Sequence, residues 1–284
     1  MKNDAIYPIT RIVAAVVFPV LWLAFLLLYF YPDLTGERFA WLIKPHMTSL
    51  YIGAGYLGGS WLFLNTLFGK RWHRVQGGFL PITAFTWAML LATLLHWDRF
   101  SHGRFGFQLW TTLYVITPFL VPALWFYNRR TDPGTPEGSD VVMAPWTTWV
   151  LRVVGIIGTV FALAGFIYPP FMIGVWPWAL TPLTARVMSG WIALLGVGAL
   201  TMSADLRWTS WRVPLESIFI WHGLVLLAAG LTASDFTSGV ANWYTFLITL
   251  LMAGIVFIYV MMEIKRRRTA KAATATAETA SPSA

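Results

Sequence analysis

Residues 31–53 read YPDLTGERFAWLIKPHMTSLYIG, and residues 168–190 read YPPFMIGVWPWALTPLTARVMSG. At a constant offset of 137 positions, Tyr31 matches Tyr168, Pro32 matches Pro169, Trp41 matches Trp178, Pro45 matches Pro182 and Gly53 matches Gly190. Tyr-Pro closes one apolar run at an interface, and the second Pro opens the next, where its missing N–H is harmless. The Trp between them belongs at headgroup depth. The same register pairs Asp98 with Asp235 and Ser101 with Ser238, so the equivalence extends through most of each half.

Composition fixes the setting of this motif. The chain of 284 residues is 57% hydrophobic, 17% aromatic and 11% charged, against a charged fraction of about 25% in soluble domains. Such a chain belongs in a bilayer. It has no cysteine, which excludes disulfides, thiolate metal sites and thiol nucleophiles.

A helix crossing the hydrocarbon layer needs about 20 mostly apolar residues. Eight segments qualify, near 9–31, 47–69, 77–96, 105–127, 148–168, 183–202, 213–231 and 241–263. The runs are continuous rather than alternating, which excludes an open sheet in lipid. The expected fold is all-α, a polytopic integral membrane protein with two parallel four-helix repeats about an axis along the membrane normal. The first repeat spans 1–130, a cytoplasmic linker 131–147, the second repeat 148–268, and a disordered cytoplasmic tail 269–284. The linker segment TDPGTPEGSD and the tail look uninvolved in the core.

With a cytoplasmic N-terminus, fifteen of the 20 Lys and Arg fall on the inner side. This asymmetry assigns both termini to the cytoplasm of a multi-pass plasma-membrane protein. The clusters GKRWHR and IKRRR then serve as topology signals and anionic-lipid contacts, so the formal charge of +8 does not indicate nucleic-acid binding.

Ionisable residues at membrane depth are costly and often functional. Glu216 falls in the first turn of the seventh span, one helical step from Arg212, a spacing that favours an i,i+4 ion pair. Glu216 and His222 are candidates for a proton relay. His222 is the only imidazole expected near mid-membrane, so a bis-histidine haem is disfavoured and no cofactor is assigned. On the outer side, Trp41, His46, His96, Asp98, Trp178, Arg186 and Asp235 form the candidate ligand site, because both copies of the motif fall there. The types His46, His96, Asp98, His102 and Asp235 suit a divalent ion, but their spacing matches no metal signature and no metal site is assigned. GAGYLGGS at 53–60 lacks the context of a phosphate loop and reads as close helix packing.

No catalytic motif is present. The leading expectation is a binding, assembly or accessory subunit of a membrane complex, with the lipid bilayer, other membrane subunits and a hydrophobic small molecule as partners. A small-molecule transporter or channel, and a membrane enzyme acting on a lipid or isoprenoid, are the alternatives.

Overall fold

In the computed structural model, residues 2–138 and 140–280 are described, and among them the only regular structure is helical apart from two isolated bridges. The helices are α1 (Pro8–Phe30), α2 (Thr35–Arg38), α3 (His46–Phe68), α4 (Phe79–Leu95), α5 (Phe105–Asn128), α6 (Trp146–Ile167), α7 (Pro169–Val175), α8 (Pro182–Ser203), α9 (Trp208–Leu231) and α10 (Trp243–Ala280). Pro starts α1, α7 and α8, where its fixed φ suits the first turn. Thr181 closes a capping box with Thr184 ahead of α8. The two Tyr-Pro segments build matching connections: a 3₁₀ turn with α2 in the first, α7 in the second.

Seven of these helices are long and apolar enough to cross a membrane: α1, α4, α5, α6, α8, α9 and α10. The sequence leads one to expect eight, and α3 is the helix that does not meet the measure. Its physical position explains the difference. Fifteen of its 23 residues are buried, so its Thr, Ser, Tyr and Gly face protein rather than lipid, and its apolarity is not set by the bilayer.

The helices form an inner and an outer set. α3 packs on α9 and α4 on α8, while α1, α5, α6 and α10 lie outside them, against α3, α4, α8 and α9 respectively. Burial follows this order: 44–50% of the apolar windows of α4, α8 and α9 is buried, against 11–28% for the outer four. Close approach in the inner set depends on glycine. A Cβ on Gly58 would lie 2.6 Å from the Ser217 carbonyl of α9, and one on Gly55 2.6 Å from the Trp191 ring of α8.

At one end of the bundle, which carries both termini, charged side chains make the connections. The linker is part of this structure rather than apart from it. Asp132 accepts from both Arg207 Nη atoms at 2.7 and 2.8 Å, and Glu137 pairs with Arg71 at 3.1 Å and with Arg74. Asp140 accepts from the Thr209 amide at 3.1 Å and its hydroxyl at 2.6 Å, holding the start of α9. The Pro and Gly residues that mark the segment as a linker also fold its acids back onto the Arg-bearing loops.

Two other expectations change. α9 begins at Trp208, five residues before the expected start, which places Glu216 more than two turns inside the helix. α10 continues through the expected disordered tail to Ala280, and residues 281–284 lie outside the described residues. The tail is rich in Ala, the strongest helix former, which favours continuation of the helix.

Candidate functional site

The inner helices leave a cavity of about 150 Å³ between them. Gly55, Gly58 and Gly59 of α3, Phe85 of α4, Trp191 and Gly198 of α8, and Ser217 and Trp221 of α9 line it, with Val20 and Leu21 of α1 and Leu113 and Tyr114 of α5. The glycines play opposite parts here. Gly55 and Gly58 are filled by neighbours, whereas a Cβ on Gly59 would meet only Leu21 at 3.7 Å and one on Gly198 only Pro81. The missing side chains of Gly59 and Gly198 are therefore the opening itself.

The cavity wall is apolar with a few hydrogen-bonding groups. Tyr56 and Tyr114 join their hydroxyls at 3.0 Å. The Trp191 and Trp221 indole N–H groups and the Ser217 hydroxyl are buried without a protein partner. Trp191 and Trp221 meet at 4.9 Å with their rings tilted by 53° and form the ceiling, with Tyr51 beyond them at 6.4 and 5.5 Å. Tyr51 in turn meets Trp176 and Trp178, so the second copy of the motif seals the cavity from the aromatic end of the bundle. A convergent apolar pocket with sparse polar groups is the usual form of a small-molecule site.

The residues singled out in the sequence are dispersed around this roof. Trp41 and Trp178 are buried in one aromatic core but do not meet, Trp41 lying against Trp110 at 4.9 Å and Trp178 against Trp176 at 5.2 Å. Arg186 donates to the Phe166 carbonyl at 3.0 Å and to His96 Nε2 at 2.7 Å. Burial first, and the positive Arg186 second, hold the His96 imidazole below its ordinary pKa, consistent with a neutral ring accepting that bond. Asp235 accepts from the Met47 amide at 2.8 Å and so holds the first turn of α3 from across the molecule. His46 pairs with the exposed Asp33, Asp98 with its neighbour Arg99, and His102 with the Trp97 carbonyl. Only His96 and Arg186 of the seven touch each other through a hydrogen bond. Among the described residues no group of three His, Asp or Glu could hold a metal ion.

Glu216 and His222 take different partners. Glu216 accepts from Trp61 Nε1 of α3 at 2.8 Å and from the Tyr259 hydroxyl of α10 at 2.6 Å, with Arg212 farther off at 3.8 Å. Its i,i+4 pairing is therefore secondary to a node joining three helices. His222 is buried, bonds the Ile218 carbonyl at 3.0 Å and lies against Trp221.

One polar chain had no signature in the sequence. His73, 1% exposed, binds Asp4 through Nδ1 at 2.5 Å and Thr209 through Nε2 at 2.9 Å. The Thr209 hydroxyl has a single proton and directs it to Asp140. The chain clamps the N-terminus, the α3–α4 loop, the linker and α9 together. Nearby, burial opposes ionisation of Asp132, but the Arg207 fork brings its pKa down to about 2. Asp205 is lowered by the same guanidinium, which outweighs its burial, and Arg207 is raised in return.

Comparison with protein-family models, with curated proteins and with solved structures finds no match for this chain.

Proposed function

We propose that this protein is a membrane-embedded binding subunit that holds an apolar molecule in the cavity between its inner helices. The observation that carries this reading is the pair of open glycines, Gly59 and Gly198, facing a cavity otherwise walled by closely packed side chains. An apolar cavity of this size stays free of water and takes up small aromatic molecules in other proteins. The outer residues Trp178, His96, Arg186 and Asp235 act in this reading as its roof, fixing the ends of α3, α4 and α8.

The same reading takes α3 as the eighth membrane crossing and the halves as parallel repeats. Exchanging halves carries α1–α3 onto α6–α8, α3–α9 onto α8–α4, and α4–α5 onto α9–α10, which are the packing pairs the bundle makes. The cavity then lies to the first-half side of the pseudo-twofold axis, since α1 and α5 line it and α6 and α10 do not. Fifteen of the 20 basic residues lie on the side of the termini, favouring a cytoplasmic N-terminus in a plasma membrane.

Fluorobenzene observed by ¹⁹F NMR tests the cavity. Purified protein in mild detergent should give a bound resonance absent from empty micelles, and Gly59→Leu, which fills open space, should abolish it while leaving the thermal transition unlowered. A bound resonance that survives Gly59→Leu in a folded protein, or none in the wild type, overturns the reading.

A further inference from the structure

A second cavity, about 310 Å³, runs along the lipid-facing seam between α1 and α5. These two helices do not pack as a pair: α1 rests on α3 and α5 on α4. Leu23 and Leu27 of α1 and Phe105 and Leu109 of α5 form its walls. At the end nearer the aromatic loops stands Arg38, exposed and without an ion-pair partner among the described residues. Arg104, at the start of α5, donates to the Gly36 carbonyl at 2.6 Å and brings a second guanidinium beside α2. Glu37 is exposed next to Arg38 but does not line the groove. At the inner end, the groove and the central cavity share Val20, Leu21, Leu113, Tyr56 and Tyr114. This shared wall, with its Tyr56–Tyr114 hydroxyl contact of 3.0 Å, lies between the two spaces.

We propose that the ligand of this protein is a lipid with an anionic phosphomonoester head, the head at Arg38 and the hydrocarbon chain laid along the α1/α5 groove and past the Tyr56–Tyr114 wall into the central cavity. The inference rests on the binding function proposed above and adds the chemical class and the side entrance. Two features select that class. A cation at the interface end of an apolar groove complements an anionic head on a long chain. The groove abuts the cavity at the Tyr56–Tyr114 wall, so parting that one hydroxyl contact gives a chain apolar space in which to extend. A phosphatidic acid and a polyprenyl phosphate share this chemistry.

Native mass spectrometry of the full chain in mild detergent tests it, using dioleoyl phosphatidic acid, dioleoyl phosphatidylcholine, a long polyprenyl phosphate, dihexanoyl phosphatidic acid and inorganic phosphate alone. At least one long-chain phosphate should be retained about tenfold better than phosphatidylcholine, which identifies the acyl or the polyprenyl source by which of the two prevails. Arg38→Gln should remove that preference, with Arg99→Gln on the same end as the unaffected control. Gly59→Leu should bring long chains down to the retention of the dihexanoyl lipid while the preference for phosphate persists. Equal retention of phosphatidylcholine, no effect of Arg38→Gln, or retention of inorganic phosphate alone overturns the inference. Long-chain retention unchanged in Gly59→Leu also overturns it, because the chain then stops in the groove, and the fluorobenzene experiment still decides the cavity separately.

Discussion

Positions 137 apart carry related residues in the two halves but meet different surroundings, and the second half makes the attachments. Trp178 donates its indole N–H to the Thr48 hydroxyl at 2.9 Å, across the boundary between halves. The reciprocal partner of Trp41 would be position 185, which is Ala, and the Trp41 N–H is buried without a partner. Asp235 holds the start of α3, while Asp98 sits in water beside Arg99. Arg207 grips Asp132 and Asp205 with a side chain 7% exposed, while its counterpart Lys70 is exposed. At positions matched in sequence, the neighbours thus set what a residue does.

The strongest way to break this comparison is at the cationic pair. Arg207→Gln strands two half-buried carboxylates and should cost about 2–3 kcal/mol, a value below that for fully buried ion pairs because both acids retain some solvent. Lys70→Gln should change stability by less than about 0.5 kcal/mol. Thermal unfolding in mild detergent compares them, and equal effects would show that the clasp contributes nothing specific.

The same clasp gives a pH dependence whose sign follows from Asp132. Its folded-state pKa, about 2, lies below the unfolded value of about 3.9. Its contribution to stability is therefore full above about pH 4 and is lost as pH falls toward 2. Hydrogen exchange should show segment 131–141 losing protection across that window, and Arg207→Gln should show the loss already at neutral pH. Unchanged protection down to pH 2 would count against the clasp.

The tryptophans sharpen the comparison at a smaller scale. Both Trp→Phe changes shrink a buried ring, but only Trp178→Phe leaves Thr48 without its donor, so it should cost about 1 kcal/mol more than Trp41→Phe. Smallest are the aspartates. Asp235→Ala removes a helix-start acceptor and should cost about 1 kcal/mol, whereas Asp98→Ala should be within about 0.5 kcal/mol of wild type because its ion pair is exposed. Melting curves of the four single variants check both pairs, and a reversed order in either would show that the matched positions are not distinguished by these bonds.

Much of the helical frame is legible from local chemistry. Apolar runs locate the seven long lipophilic helices, and Pro32, Pro169 and Pro182 mark chain turns and helix starts, because backbone satisfaction in lipid leaves a helix few alternatives. The linker was legible as a loop, but the docking of Asp132, Glu137 and Asp140 was not, since their partners Arg207, Arg71, Arg74 and Thr209 come from distant segments. Glu216 was visible as an ionisable residue, whereas its bonds to Trp61 and Tyr259 depend on the meeting of three helices.

The run GAGYLGGS marks the boundary most sharply. Sequence alone determines that small residues let another backbone approach α3. It cannot distinguish Gly58 from Gly59, which are adjacent and chemically identical. Tertiary packing decides that Gly58 meets the Ser217 carbonyl and Trp221, while Gly59 faces open space beside Leu21. Successive residues on a helix point about 100° apart, so one glycine closes an interface and the next opens a cavity.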